Sequence, residues 1–318
     1  MKAFVTGGTG FIGSSLIREL LAHGHTVTAL VRTFERARQL PRGVRALPAD
    51  ITKPGSFTHA LRGHDIVFHL AGVVQIGVKP KDRARVQRIN VDGARTVLEA
   101  AWEARVPKIV YASSNVVYGD THGAVVDEGY RPALTEFESH YQRTKHVAHC
   151  GVAAPLQQRG APLVIAMPGA VYGPGDLSPM RRVLRRLARG RLPVMIGPDN
   201  ARSWTYVEDA ATGLRLCAER GRNGETYNLT GPAHTFREFF EACAAASGAR
   251  APWVWVPSAW ARVGARLLGR PLPALAERLR VLGGVTYLAR ADKAANELGW
   301  HPRSLAEGLR AMFAALTN

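Results

Sequence analysis

Cysteine is scarce in this chain, and the scarcity excludes two classes at once. Cys150, Cys217 and Cys243 are odd in number and far apart in 318 residues, which suits neither a disulfide framework nor a thiolate metal site. The eleven histidines are equally scattered, so no metal is expected. Long hydrophobic runs are missing too. No window approaches the roughly 18 apolar residues that a membrane span requires. Gly7, Gly8 and Gly10 break the stretch where a secretory leader would lie. A reducing cytoplasm is the expected setting. Acidic residues are few, 25 against 42 basic, for a formal charge of +17. The densest basic cluster is Arg181, Arg182, Arg185, Arg186, Arg189 and Arg191. It lacks the recognition helix, zinc module or interleaved aromatics of a nucleic-acid binder, so no nucleic-acid partner is expected. Most arginines read as solvated helix faces, and the surplus as a field that attracts anionic small molecules.

What is present is enough apolar material, 46% of residues, for one large domain or two unequal ones. In the first half short apolar runs alternate with amphipathic stretches. Strands are predicted at 3–6, 26–31, 44–49, 66–70, 109–113 and 163–167, and helices most clearly at 14–22, 82–105 and 141–159. Such alternation predicts an α/β fold, a Rossmann-type doubly wound parallel sheet with helices on both faces and ligands at the strand C-termini. Beyond Gly173 the regularity weakens. Residues 1–170, with 203–230 returning to them, are expected to form a dinucleotide-binding domain, and 171–202 with 231–318 a smaller, mostly helical substrate lobe.

The first strand and first helix are joined by Thr6-Gly7-Gly8-Thr9-Gly10-Phe11-Ile12-Gly13. One glycine makes the tight turn, one admits a pyrophosphate and one lets the helix pack on the strand. The helix start then offers N–H groups and its dipole to phosphates. The second strand ends at Val31-Arg32, where an acidic residue would hold a ribose 2′-hydroxyl. Arg32 instead suits a 2′-phosphate, predicting NADP(H) with NAD as the alternative; stacking on adenine or facing water is its other reading. Asp50-Ile51 follows the third strand, as a candidate for the adenine amino group. Leu70-Ala71-Gly72 follows the fourth, where small residues let backbone lie against ribose. Asn90 is a candidate for orienting water or backbone near the nicotinamide, and for each of these a turn role is equally open.

Ser114, just past the fifth strand, and Tyr141 and Lys145, four apart on one helix face, carry the chemistry. Hydride transfer at a carbinol carbon needs a group that exchanges the hydroxyl proton. Free tyrosine, near pKa 10, is a poor base at neutral pH. An ammonium about 4 Å away favours phenolate by roughly 4 kcal/mol at an effective dielectric of about 20. Tyr141 is thus the expected acid or base, Ser114 the holder of the substrate oxygen, and Lys145 the group that tunes Tyr141 and holds the ribose.

The chain resembles the extended short-chain dehydrogenases/reductases, the family of nucleotide-sugar epimerases and dehydratases, dihydroflavonol reductases and 3β-hydroxysteroid dehydrogenases. The matching stretches are Thr6–Gly13, His69–Gly72, Asn90–Gly93, Ala112–Gly119, Tyr141–Lys145, Pro168–Gly175, Tyr206–Ala210 and Glu297–Pro302, nearly the whole chain in family order. The resemblance implies that Gly7, Thr9, Gly10, Phe11, Ile12 and Gly13 hold the dinucleotide. It likewise implies that Pro168, Gly169 and Val171 meet the nicotinamide carboxamide, and that Asn115 and Tyr172 join Ser114 at the substrate. Arg202 matches an arginine that contacts the diphosphate in sugar-nucleotide relatives; an ordinary surface arginine is the other reading. Departures are Met167 where the family often has arginine, His149 where a glutamate often stands, and Arg32 in place of an acid. The last favours the reductase branch, acting on a ketone or secondary alcohol, sugar-linked or apolar. A sugar-nucleotide epimerase that keeps its cofactor is the alternative, and a non-catalytic dinucleotide sensor a further one. A homodimer is possible by the same resemblance. Trp253, Trp255 and Trp260 read as core contacts beneath the lobe, or as an apolar mouth or peripheral membrane patch.

Overall fold

The computed structural model describes residues 1–317. Six apolar runs become strands β1 (Lys2–Thr6), β2 (Thr26–Val31), β3 (Arg45–Pro48), β4 (Ile66–His69), β5 (Lys108–Ala112) and β6 (Leu163–Pro168). Each lies within one residue of its predicted limits. β7 (Ala170–Tyr172), β8 (Val194–Ile196) and β9 (Ala201–Tyr206) leave the sheet, and β10 (Thr226–Leu229) returns to it. The order is β10-β6-β5-β4-β1-β2-β3, parallel throughout. The strand order reverses beside β1, which opens a crevice at the C-terminal ends of β1 and β4.

The helices are α1 (Phe11–Ala22), α2 (Phe34–Ala37), α3 (Arg83–Gln87), α4 (Gly93–Glu103), α5 (His140–Ala148), α6 (Ala154–Gln158), α7 (Pro179–Ala188), α8 (Val207–Glu219), α9 (Phe236–Ser247), α10 (Ser258–Leu267), α11 (Pro273–Val281) and α12 (Leu305–Thr317). α1 and α8 bury one sheet face, while α4 and the α5–α6 segment bury the other. Two helices predicted as continuous are each interrupted by a π turn, Arg88–Asp92 before α4 and His149–Ala153 before α6. At the first, Gly93 packs so tightly that a Cβ would lie 2.7 Å from Ile51 Cδ1. At the second, Pro155 has no N–H with which to continue the α pattern.

The rest of the chain forms a second body. β9 pairs antiparallel with β11 (Ala233–Thr235) and parallel with β7 and with β13 (Thr286–Tyr287), while β12 (Val254–Val256) pairs with β8. Its core is aromatic. Trp204 stacks on Phe239 with centroids 3.6 Å apart, and Tyr172, Tyr206, Phe236 and Phe240 close around them. Of the three tryptophans expected in a core, only Trp255 packs on this cluster, against Phe240. Trp253, just before β12, is 55% exposed, and Trp260 is 68% exposed because α10 turns Ala261 and Ala265 inward instead.

Candidate active site

The turn after β1 is built for close approach. Gly7 adopts φ +76°, and a Cβ there would lie 2.6 Å from Ala71 N. A Cβ on Gly13 would lie 2.1 Å from Gly7 O, so α1 can start only with glycine at both places. Gly10 caps α1 in extended conformation with no side-chain bond, and the first turn carries no acid. The N–H groups at Phe11, Ile12 and Gly13 are therefore left to an anion. Beyond its own helix, a Cβ on Gly10 would meet only Gly7 O, at 3.1 Å. The cradle fits a pyrophosphate. Thr9 lies half-buried on its rim.

At the crevice edge Arg32 is exposed. Asp50 Oδ1 accepts from Thr52 N (2.9 Å) and Thr52 Oγ1 (2.8 Å). Burial pushes the Asp50 carboxyl up, but these bonds and the charges of Lys53 and Arg32 outweigh it and leave its pKa lowered. On the other side of β1, Leu70 N donates to Thr6 O and Ala71 N to Thr6 Oγ1, which holds Leu70–Gly72 against the glycine turn. Gly169 lies against β9, where a Cβ would be 2.2 Å from Ser203 O. Pro168 ends β6 and Val171 lies in β7.

Ser139 caps α5 by accepting from Gln142 N, while Gln142 Oε1 accepts from Glu138 N. This reciprocal cap fixes Tyr141 as the second helical residue, with Lys145 one turn on. Ser114 follows β5, and its hydroxyl accepts from Val116 N while facing the Tyr141 phenol. Burial drives the Tyr141 pKa up to about 12, and the nearby Ser114 hydroxyl pulls the other way. The expected depression by Lys145 is not among the causes of this shift. Lys145 Nζ donates to Ala112 O (2.9 Å) and Tyr111 OH (3.4 Å) and lies 5.0 Å from the Tyr111 ring centroid. Burial brings the Lys145 pKa down to about 8.

Around Lys145 is a shell of polar side chains. Tyr111 stacks on His69, its register partner on β4, at 5.7 Å and 17°. His69 Nδ1 lies 2.7 Å from Thr6 Oγ1. Burial, and then the Lys145 charge, hold His69 neutral with a pKa of about 3. His149, one turn beyond Lys145, places Nδ1 3.0 Å from Ser113 Oγ. Burial, then Arg131, Lys145 and His146, lower its pKa to about 4.

A cavity of about 400 Å³ lies between the loop after β5 and the α10–α11 pair, lined by Asp120, Glu138, Arg262, Arg266, Arg280 and Val285 among others. The buried Tyr287 phenol feels the charges of Arg202, Glu138 and Asp120 and also Tyr141, so it stands between cavity and catalytic helix.

The model of the NAD-dependent epimerase/dehydratase family matches residues 3–230. The chain belongs to this family. Over 95% of its length it is 32% identical to a 3 beta-hydroxysteroid dehydrogenase/Delta 5→4-isomerase of Mycobacterium tuberculosis, covering 86% of that protein. It is 30% identical, over 95% of its length and 92% of the relative, to 4-hydroxy-2-methyl-3-oxo-4-farnesyl-3,4-dihydroquinoline-1-oxide ketoreductase of Stigmatella aurantiaca. Its fold is similar to the dTDP-glucose 4,6-dehydratase of Streptomyces venezuelae solved with NAD, at TM-score 0.80 and 26% identity over 100% of this chain and 97% of the other. Like its relatives it is an NAD(P)-dependent extended short-chain dehydrogenase/reductase, on the reductase or the epimerase side.

Several residues that the family pattern suggested lie elsewhere. Asn115 is buried and donates to Tyr287 O (3.0 Å), tying β13 to the loop after β5 rather than facing a substrate. Tyr172 is inside the aromatic core, so tight that a Cβ on Gly308 would lie 2.0 Å from its hydroxyl. Arg202 is buried over the rings of Tyr287 (4.5 Å) and Phe236 (5.4 Å) and donates to the carbonyls of Ala201, Val281 and Val285. Three of its five N–H donors go to backbone, and its guanidinium is buried rather than offered to a diphosphate. Ile51 buries its side chain under Gly93. Asn90 bonds Val73 N and O and Thr144 Oγ1, so of the two expected partners, water or backbone, it is the backbone of the loop after β4 that it holds. Only strand pairing joins Tyr111, Thr6 and His69, so no local sequence pattern marks them as the surroundings of Lys145. The Tyr141, Lys145, His149 spacing of four was the available signal for His149.

Proposed function

We propose that this enzyme is an NADP(H)-dependent oxidoreductase interconverting a ketone and a secondary alcohol, with Ser114, Tyr141 and Lys145 as its catalytic set. One observation carries the reading: past the end of β5 the buried Tyr141 phenol lies close enough to the Ser114 hydroxyl for that group to lower its pKa, and one helical turn on the Lys145 ammonium is anchored on Ala112 O. A bound nicotinamide dinucleotide supplies the hydride acceptor or donor. Ser114 holds the substrate oxygen, Tyr141 gives or takes its proton, and Lys145 holds the nicotinamide ribose. With its proton held to about pH 12, Tyr141 rests as the acid, which suits carbonyl reduction. Gly7, Gly10 and Gly13 with the N–H groups that follow them hold the pyrophosphate, Arg32 the 2′-phosphate, Asp50 the adenine, and Leu70–Gly72 with Pro168, Gly169 and Val171 the ribose and carboxamide. Residues 1–170 with 203–230 would carry the cofactor, and 171–202 with 231–318 the substrate.

Arg32 in place of an acid, the inward-turned Arg202, and the ketoreductase and dehydrogenase names of the sequence relatives support a reductase. The nucleotide-sugar enzymes among the fold neighbours support an epimerase as the second reading. Purified protein assayed with a ketone panel should oxidise NADPH, and stoichiometric bound nicotinamide with no net NADPH consumption would instead favour the epimerase. Arg32→Ala should lower the preference for NADPH over NADH by about tenfold or more; an unchanged ratio of affinities would remove the 2′-phosphate clamp.

A further inference from the structure

Among the described residues, seven of the fourteen exposed large hydrophobic side chains fall in one short stretch, from Trp253 to Leu275. An eighth, Val194, pairs with Val254 across β8 and β12. Trp260, Val263 and Leu267 recur three and four apart on α10 and form an outward stripe, exposed by 68%, 46% and 74%. Leu272 and Leu275 carry the stripe over the turn into α11, which packs along α10. Arginine dominates the charge of this surface, although Arg262 and Arg266 also line the cavity that holds Asp120 and Glu138. Arg250, Arg262, Arg266, Arg270 and Arg278 are all exposed. The only acid between 248 and 283 is Glu277, which is fully buried.

We propose that the α10–α11 hairpin docks on an anionic lipid bilayer surface, with Trp260, Leu267 and Leu272 entering the interface and the flanking arginines facing lipid phosphates. Exposed apolar side chains of this size are costly in water, and a soluble surface rarely gathers them without a partner. Tryptophan and leucine rimmed by arginine is the composition that an interfacial helix presents to acidic headgroups. A second copy of the chain is a poor occupant, since the same face would set arginine against arginine, with its nearest carboxylates, Asp120 and Glu138, already drawn into the cavity beside Arg262 and Arg266. No helix of the described residues is long and apolar enough to cross a membrane, so the contact is peripheral. Docking of this kind is independent of the reaction proposed above. If both hold, a lipid-dissolved substrate would leave the bilayer beside the cavity that Arg262 and Arg266 line.

The full chain should co-sediment with phosphatidylcholine vesicles containing about 30% phosphatidylglycerol, and much less with phosphatidylcholine alone, with binding that weakens as salt rises. The double variant Trp260→Glu, Leu267→Glu should bind at least about tenfold more weakly, whereas Leu177→Glu, an exposed leucine elsewhere, should not. Brominated lipid should quench tryptophan emission, and Trp260→Phe should remove part of that quenching. Thermal unfolding of each variant checks that the fold survives these exposed changes. No co-sedimentation at low salt overturns the proposal. So does undiminished binding by the double variant, which would assign the attraction to the diffuse charge of the whole protein. Binding to an acidic polypeptide but not to vesicles overturns it too, and makes the face a protein interface.

Discussion

At the scale of single residues, the site turns on where one ammonium points. Lys145 spends its bonds on Ala112 O and Tyr111 OH, and burial leaves Tyr141 with its proton. Tyr141→Phe removes that proton and should cut kcat by about 10²- to 10⁴-fold with little change in KM, measured by steady-state kinetics on the identified ketone. Lys145, with a pKa of about 8, loses its charge above that pH, and turnover should fall there. Burial sets this limit, and His149, neutral one turn away, supplies no negative charge to offset it. Groups facing His149 are Lys145 and His146 on its own segment, Arg131 from the loop and Ser113 after β5, none of them an acid. His149→Glu would place a carboxylate one turn from Lys145, raise its pKa and extend the alkaline limb of the pH–rate profile upward by about one unit. His149→Gln should leave the limb in place. Equal limbs in both variants would show that the residue at 149 does not act on Lys145. A serine, a tyrosine and a lysine at the right spacing were legible in the sequence; which of them touch was not. That answer depends on Tyr111, which only the β4–β5 register places beneath the lysine.

At the scale of elements, the catalytic helix is positioned from its first turn. Ser139 and Gln142 cap it reciprocally, and Asn90 bonds Thr144 on the same helix from the π turn before α4. Ser139→Ala should cost about 1 kcal/mol of stability. It should also lower kcat more than it raises KM, because Tyr141 lies two residues past the cap. Thermal unfolding and kinetics together test this, and a stability loss with unchanged kcat would reduce the cap to scaffolding. The parallel strands were readable because each is a short buried run bounded by turn residues. The π turns were not, since a single added residue leaves hydrophobic periodicity almost unchanged. Nor were β8, β12 and β13, each of two or three residues. Strands so short exist only through partners distant in sequence, and the inward turn of Arg202 follows from that pairing rather than from any local pattern.

For the molecule as a whole, burying neutral histidines makes stability depend on acidity. His69 and His149 have pKa values of about 3 and about 4 in the folded protein, against the ordinary 6.5 in an unfolded chain. Between pH 6.5 and about 4 the unfolded chain therefore binds a proton at each site that the folded protein refuses. Stability must fall as pH drops through that window, by about 1.4 kcal/mol per pH unit for each histidine at full slope, and be indifferent to both above it. Lys145 acts at the other end with the same sign. Its folded pKa of about 8 lies below the ordinary 10.5, so the unfolded chain holds the extra proton between those values and stability gains as pH rises through them. Urea unfolding at pH 6.5 and pH 5 separates the histidines from most carboxylates. His69→Gln, which keeps a polar group against Thr6, should remove about 1 to 2 kcal/mol of the difference between the two pH values. A variant with the parent's full acid sensitivity would mean that His69 takes up its proton without unfolding. The stack of His69 on Tyr111 beneath Lys145 would then be softer than its burial requires.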